Sequence, residues 1–180
     1  RTFFLNIATI NESLNECKTN CFWCKNEKRG SFYEKEEEQE DKFMSVITEL
    51  IRVEANGAIS FGNYELDQKS KISDFEYNGD LYKVKTFKEI TKLERNGMFA
   101  YESVPGTTVT NYKRTEDTVS FEAEGIADTQ VIIGVEDDTE YSIIINGVKI
   151  DEFETNLSGK LVISLDLSEG KKATVTVEKL

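Results

Sequence analysis

Histidine is absent from the 180 residues, proline occurs once and cysteine three times. Without imidazole the chain lacks the side chain that titrates nearest neutrality and the commonest transition-metal ligand, so Ser-His, Cys-His and HExxH constellations are excluded together. Most enzyme classes lose their machinery here, and the expectation is a non-catalytic protein. Long apolar runs are missing as well. The opening stretch Phe3-Phe4-Leu5-Asn6-Ile7-Ala8 falls far short of the roughly 18 residues that a transmembrane helix needs, so no membrane span is expected. Positive charge is scarce, with 22 Lys and Arg against 34 Asp and Glu and a formal charge of −12. That balance argues against an extended face for nucleic acid or anionic lipid. Length excludes a full (β/α) barrel of about 250 residues.

What remains is ample core material. Hydrophobic residues make up 38% of the chain, with eleven phenylalanines and seven tyrosines, which is too much for a disordered polymer. The distribution is uneven. Residues 1–43 read as a cysteine-bearing leader that ends in an acidic linker, Glu34 to Lys42 (EKEEEQEDK), with no apolar residue to bury. This leader holds nine acids and seven bases, whereas residues 44–180 hold 25 acids and 15 bases, so most of the negative charge lies in the body.

The body reads as all-β. The β-branched content of Met44 to Arg52 favours a strand, and Asn56-Gly57 predicts a hairpin between residues 46–54 and Ala58 to Tyr64. Asn78-Gly79 and Asn96-Gly97 predict two further hairpins, because asparagine and glycine accept the positive φ of tight turns. Pro105-Gly106 marks a domain or sheet boundary. Beyond it, Val119 to Ala123, Thr129 to Val135, Tyr141 to Ile145, Val148 to Ile150, Lys160 to Leu167 and Ala173 to Val177 are short strands separated by turn residues. Such spacing predicts an antiparallel β-sandwich, immunoglobulin-like or related, over residues 106–180. A smaller hairpin-rich β subdomain over 44–105 and the leader precede it. Alternation places Leu161, Ile163, Leu165 and Leu167 on a core face opposite Val162, Ser164 and Asp166, and Ala173, Val175 and Val177 opposite Thr174, Thr176 and Glu178.

One cluster is suited to chemistry. Cys17-x₃-Cys21-x₂-Cys24, with Trp23 just before the third cysteine, resembles the iron-sulfur triplet of radical S-adenosylmethionine enzymes over about eight residues. That resemblance implies three thiolates, Cys17, Cys21 and Cys24, holding three irons of a [4Fe-4S] cluster, with the fourth iron open to a ligand. The strands that follow replace the βα units of that family's barrel, so the likeness stops at the cluster. A disulfide between two cysteines or with another chain, and plain reduced thiols, are the other readings. A closed zinc site would need a fourth ligand from elsewhere.

Carboxylate pairs such as Glu65 and Asp67 read as solvated surface, Asp137-Asp138-x-Glu140 lacks the spacing of a calcium loop, and Tyr64, Tyr77, Tyr82, Tyr101 and Tyr112 form either a sugar-stacking platform or core. The leading expectation is a non-catalytic binding, accessory or assembly module that contacts a protein or a glycan. An iron-sulfur or redox fragment built on the cysteines and a structural subunit of a surface layer or homo-oligomer are the alternatives.

Overall fold

Alternating β-branched and polar residues extend the chain wherever Asn-Gly or short acidic turns do not reverse it. A computed structural model describes residues 46–180, within the compact unit that runs from Phe43 to Leu180. The strands are β1 (Ile51–Val53), β2 (Ile59–Phe61), β3 (Ser70–Tyr77), β4 (Asp80–Phe87), β5 (Ile90–Arg95), β6 (Met98–Val104), β7 (Thr108–Arg114), β8 (Thr118–Glu124), β9 (Thr129–Gly134), β10 (Glu140–Ile145), β11 (Val148–Glu154), β12 (Lys160–Leu165) and β13 (Lys172–Lys179). Asn78, Asn96 and Asn146 each sit at φ 52 ahead of a glycine, the paired left-handed geometry that matches strand twist in a two-residue hairpin.

The strands form two wholly antiparallel sheets packed as a sandwich. One is ordered β1-β2-β7-β8-β13-β10-β11 and the other β12-β9-β6-β5-β4-β3. One of the passages from the second sheet to the first falls at the cis bond Val104–Pro105, between β6 and β7. Residues on both sides of Pro105 contribute to both sheets, since β2 pairs with β7 in one and β6 with β9 in the other. The hairpins of 44–105 and the strands of 106–180 therefore build one sandwich around one core.

The crossing is fastened by buried hydroxyl groups. The Thr107 carbonyl accepts from Thr91 Oγ1 at 2.7 Å and the Thr107 amide donates back to the same oxygen at 3.1 Å. With the single Thr91 proton committed to that carbonyl, the 2.8 Å contact between Thr86 Oγ1 and Thr91 Oγ1 requires Thr86 to donate. Thr86 in turn accepts from the Asn63 amide at 2.9 Å, while Thr107 Oγ1 meets Tyr101 Oη at 2.9 Å and Ser103 Oγ at 2.8 Å. Close backbone approach makes room for this. A Cβ on Gly106 would lie 2.1 Å from the Phe87 carbonyl oxygen, and one on Gly62, at φ +92, would lie 2.4 Å from that of Thr107.

Phe61, Tyr101, Tyr112 and Phe121 pack through the core, edge to face except for the tilted Tyr112–Phe121 pair, with Phe61–Tyr101 and Tyr101–Phe121 centroids 5.4 Å apart. Tyr64, Tyr82, Tyr101 and Tyr112 are all buried, so four of the five tyrosines considered for an exposed sugar platform are core residues, and Tyr77 is half-buried. The strand expected over 46–54 is confined to β1. Ile47 turns inward to full burial and the Leu50 amide closes back on the Ile47 carbonyl at 3.1 Å, with Leu50 at φ 67, so burial of one isoleucine overrides local β propensity. At the far edge of the seven-stranded sheet every residue of β11 is exposed, including Val148, Ile150 and Phe153.

The alternation in β12 and β13 matches the expected faces. Leu161, Ile163, Leu165, Leu167, Ala173, Val175 and Val177 are buried, while Val162 is 52% exposed. Asp166 has partners of its own, accepting from the Ser168 amide at 3.2 Å and from Lys171 Nζ at 2.6 Å, all at the surface. Leu165→Ala is expected to cost about 2–5 kcal/mol through lost burial and a residual cavity. Asp166→Ala loses only an exposed turn clasp, so its loss in a urea melt should be clearly smaller, and equal losses would contradict this core assignment.

Candidate functional site

Hairpin turns bring residues from both sheets to one end of the sandwich, where they border an open cleft of about 350 Å³. Ile59, Tyr112, Lys113 and Arg114 come from the seven-stranded sheet, and Tyr77, Asp80, Tyr82 and Arg95 from the six-stranded sheet. This volume lies at the lower end of the range for small-ligand sites.

The wall on the six-stranded side is held by Asp80. One of its oxygens accepts from Asn96 Nδ2 at 2.6 Å and the other from Arg95 Nε at 2.8 Å, with Arg95 Nη2 2.6 Å away. Asn96 Oδ1 also accepts from the Leu81 amide at 2.9 Å, which ties the turn after β5 to β4. The hydrogen bond from Arg95, followed by that from Asn96, lowers the Asp80 pKa, and the same contact raises that of Arg95. Across the cleft, Tyr77 Oη donates to the Gly57 carbonyl at 3.2 Å, and Arg114 Nη1 donates to the Gly134 carbonyl at 2.7 Å.

The floor holds the unusual group. Tyr112 is 3% exposed, and its hydroxyl is buried without a hydrogen-bond partner among the described residues. Burial raises its pKa, while the charge of Arg114, a polar contact with the Arg114 side chain that falls short of hydrogen-bond geometry, and the charge of Arg95 pull in the opposite direction. Buried hydroxyls are nearly always bonded, and a guanidinium can only donate, so the Tyr112 proton on the margin of the cleft marks a place for an acceptor.

Composition and spacing did not single out Asp80, Arg95 or Arg114, and Tyr112 was noted only as one of five tyrosines for a sugar platform or the core. A partial signal was present, since Asp80 directly follows Asn78-Gly79 and Arg95 directly precedes Asn96-Gly97, and charged residues flanking two tight turns end up side by side once β4 and β5 pair. Cys17, Cys21 and Cys24 lie outside the described residues. Among the described residues no three Cys, Asp or Glu side chains converge to hold a metal ion, and Asp137, Asp138 and Glu140 stay exposed. Glu124, though buried, pairs with Lys172 Nζ at 3.3 Å and lies 3.5 Å from Tyr64 Oη. Burial, with the charge of Glu124 behind it, pushes the Tyr64 hydroxyl up to about 12. No described helix is long and apolar enough to cross a membrane. No protein-family model, curated protein or solved structure matches the chain.

Because the folded-state pKa of Asp80 is lowered, the unfolded chain takes up its proton first as the solution is acidified. The contribution of the Asp80 contacts is therefore complete above the ordinary carboxylate value of 3.8 and is lost as pH falls through the folded-state value. Asp80→Asn should lower the denaturation midpoint near neutrality and narrow its gap from the parent protein below about pH 4. A gap constant across that interval would contradict the assignment.

Proposed function

We propose that the sandwich is a non-catalytic binding module whose cleft takes a glycan that carries an anionic group. The single observation behind this reading is the buried, unpartnered hydroxyl of Tyr112 beside Arg95 and Arg114. An unmade buried hydrogen bond costs about 1–3 kcal/mol, which a ligand acceptor placed there recovers, and the two guanidinium groups favour an acceptor with negative charge. Tyr77 adds a half-exposed aromatic surface for the carbon skeleton of a sugar. The carboxylate of Asp80 is engaged by Arg95 and Asn96, which favours a binding role for this wall over proton transfer.

A titration of ¹⁵N-labelled protein with galacturonate and, separately, galactose tests the proposal. Galacturonate should shift the amide signals of Arg95, Tyr112 and Arg114 more than galactose does, and Tyr112→Phe should weaken binding about tenfold without loss of stability, because it deletes the orphan. Absence of saccharide-induced shifts at these residues rejects it.

A second reading, assembly of like copies, draws on β11, whose exposed Val148, Ile150 and Phe153 lie on a strand with one unpaired edge. Under that reading sedimentation equilibrium detects a concentration-dependent dimer that Ile150→Lys abolishes, and a monomer at every concentration eliminates it.

A further inference from the structure

The outer face of the six-stranded sheet carries an arrangement that folding alone disfavours. Lys71 on β3 stands directly opposite Lys85 on β4, and Lys85 directly opposite Lys92 on β5. Neighbouring strands lie about 4.8 Å apart, so three lysines rise from the backbone in one row across adjacent strands. Like charges directly opposite one another destabilise a sheet. Lys69 adds a fourth, close enough to Lys85 that this contact, more than any other influence, lowers the Lys85 pKa.

Internal neutralisation is incomplete. Glu94 bonds Lys83 Nζ at 2.9 Å and approaches Lys92 Nζ at 3.2 Å, while Lys71 and Lys85 have no ion pair among the described residues. Glu102 follows Lys92 in register on β6 as the next charge in the row. A lysine on an edge strand such as β3 is a known guard against edge-to-edge aggregation, but Lys85 and Lys92 belong to interior strands, where no free edge needs guarding. The row also stands out against its background, because residues 44–180 carry 25 acids and 15 bases. Local cationic density in an acidic body calls for an external anion.

We propose that this face is a docking surface for an acidic polysaccharide, whose carboxylates lie over Lys71, Lys85 and Lys92. Several features select this polymer among polyanions. The strands beneath Lys85 and Lys92 are paired on both sides, so these two lysines border no backbone edge for an added peptide strand, and only β3 beneath Lys71 has one. The shallow depression there, about 130 Å³, is bordered by Lys83, Lys85, Lys92 and Glu94 and holds no apolar anchor of the kind that protein partners use. Nucleic acid bases need a free aromatic face, yet the ring of Phe99 is covered by Lys160 Nζ at 4.7 Å and Lys92 Nζ at 5.7 Å. Lysines on flexible stems act as adjustable point charges, suited to a repeating carboxylate polymer without bidentate geometry. The surface is separate from the cleft, and the proposal stands or falls without it.

Binding of the full chain to polygalacturonate, with neutral dextran as control and poly-L-glutamate and a single-stranded oligonucleotide as rival polyanions, tests the proposal. The protein should bind polygalacturonate and not dextran, with affinity that falls as salt rises. Lys71→Gln/Lys85→Gln should weaken that binding about tenfold and flatten its salt dependence, while melting at or above the parent temperature because like-charge repulsion is relieved. Lys149→Gln, on β11, should leave binding unchanged, and in a Tyr112→Phe background Lys71→Gln/Lys85→Gln should still weaken it about tenfold, which keeps this result distinct from the fate of the cleft. No binding to polygalacturonate, tighter binding to poly-L-glutamate or the oligonucleotide, or an equal loss in Lys149→Gln would overturn it.

Discussion

The described strands change sheets six times, and the fold depends on the passage between β6 and β7 being made with its polar groups satisfied. Thr107 is where this happens. Its amide and carbonyl are both bonded to the Thr91 hydroxyl, its own hydroxyl meets Tyr101 and Ser103, and Thr86 passes the network on to the backbone at Asn63. All of these groups are withdrawn from water, where an unmatched hydroxyl or carbonyl would be costly, so the network is an all-or-none fastening and not a set of separate small gains. It also sets the start of β7, and the register of β7 then carries Tyr112 and Arg114 to the opposite end of the strand, where the cleft opens. The candidate site is thus positioned by a network at the other end of β7.

Much of the architecture was legible because it is local. Asn78-Gly79, Asn96-Gly97 and Asn146-Gly147 state their turn geometry in two letters, and the alternation of Leu161 to Leu165 and Ala173 to Val177 states which face is buried. The joining of the two β-rich halves was not legible, since the β2–β7 and β6–β9 pairings are long-range and no local pattern specifies them. The tyrosines show the same limit. Alternation cannot tell an aromatic that packs across the core, such as Tyr101, from one that faces solvent, until the facing sheet is in place. Tyr112 is more extreme, because its interest lies in a missing partner and a sequence does not display absences of that kind.

Charge carries a related lesson. The formal −12 describes the chain as a whole and argues that its surface on average repels anions. An average conceals arrangement, however. Lys71, Lys85 and Lys92 are separated along the chain by several acidic residues, and only strand pairing aligns them. Arg95 and Arg114 likewise come from different sheets before they share the margin of one cleft. Local fields of this sort are products of topology, so the overall balance bounds what the surface does on average and leaves individual faces free to depart from it.

The position of β13 has a bearing on biosynthesis. This last strand of the body lies between β8 and β10, in the interior of the seven-stranded sheet. Until it has left the ribosome, β8 keeps an open edge and the β10–β11 ribbon has no neighbour to attach to, so β1-β2-β7-β8 and β10-β11 stay separate until β13 joins them. Loss of β13 would split the seven-stranded sheet down its middle, exposing the faces of Phe121 and Ile143 that the intact sheet keeps dry.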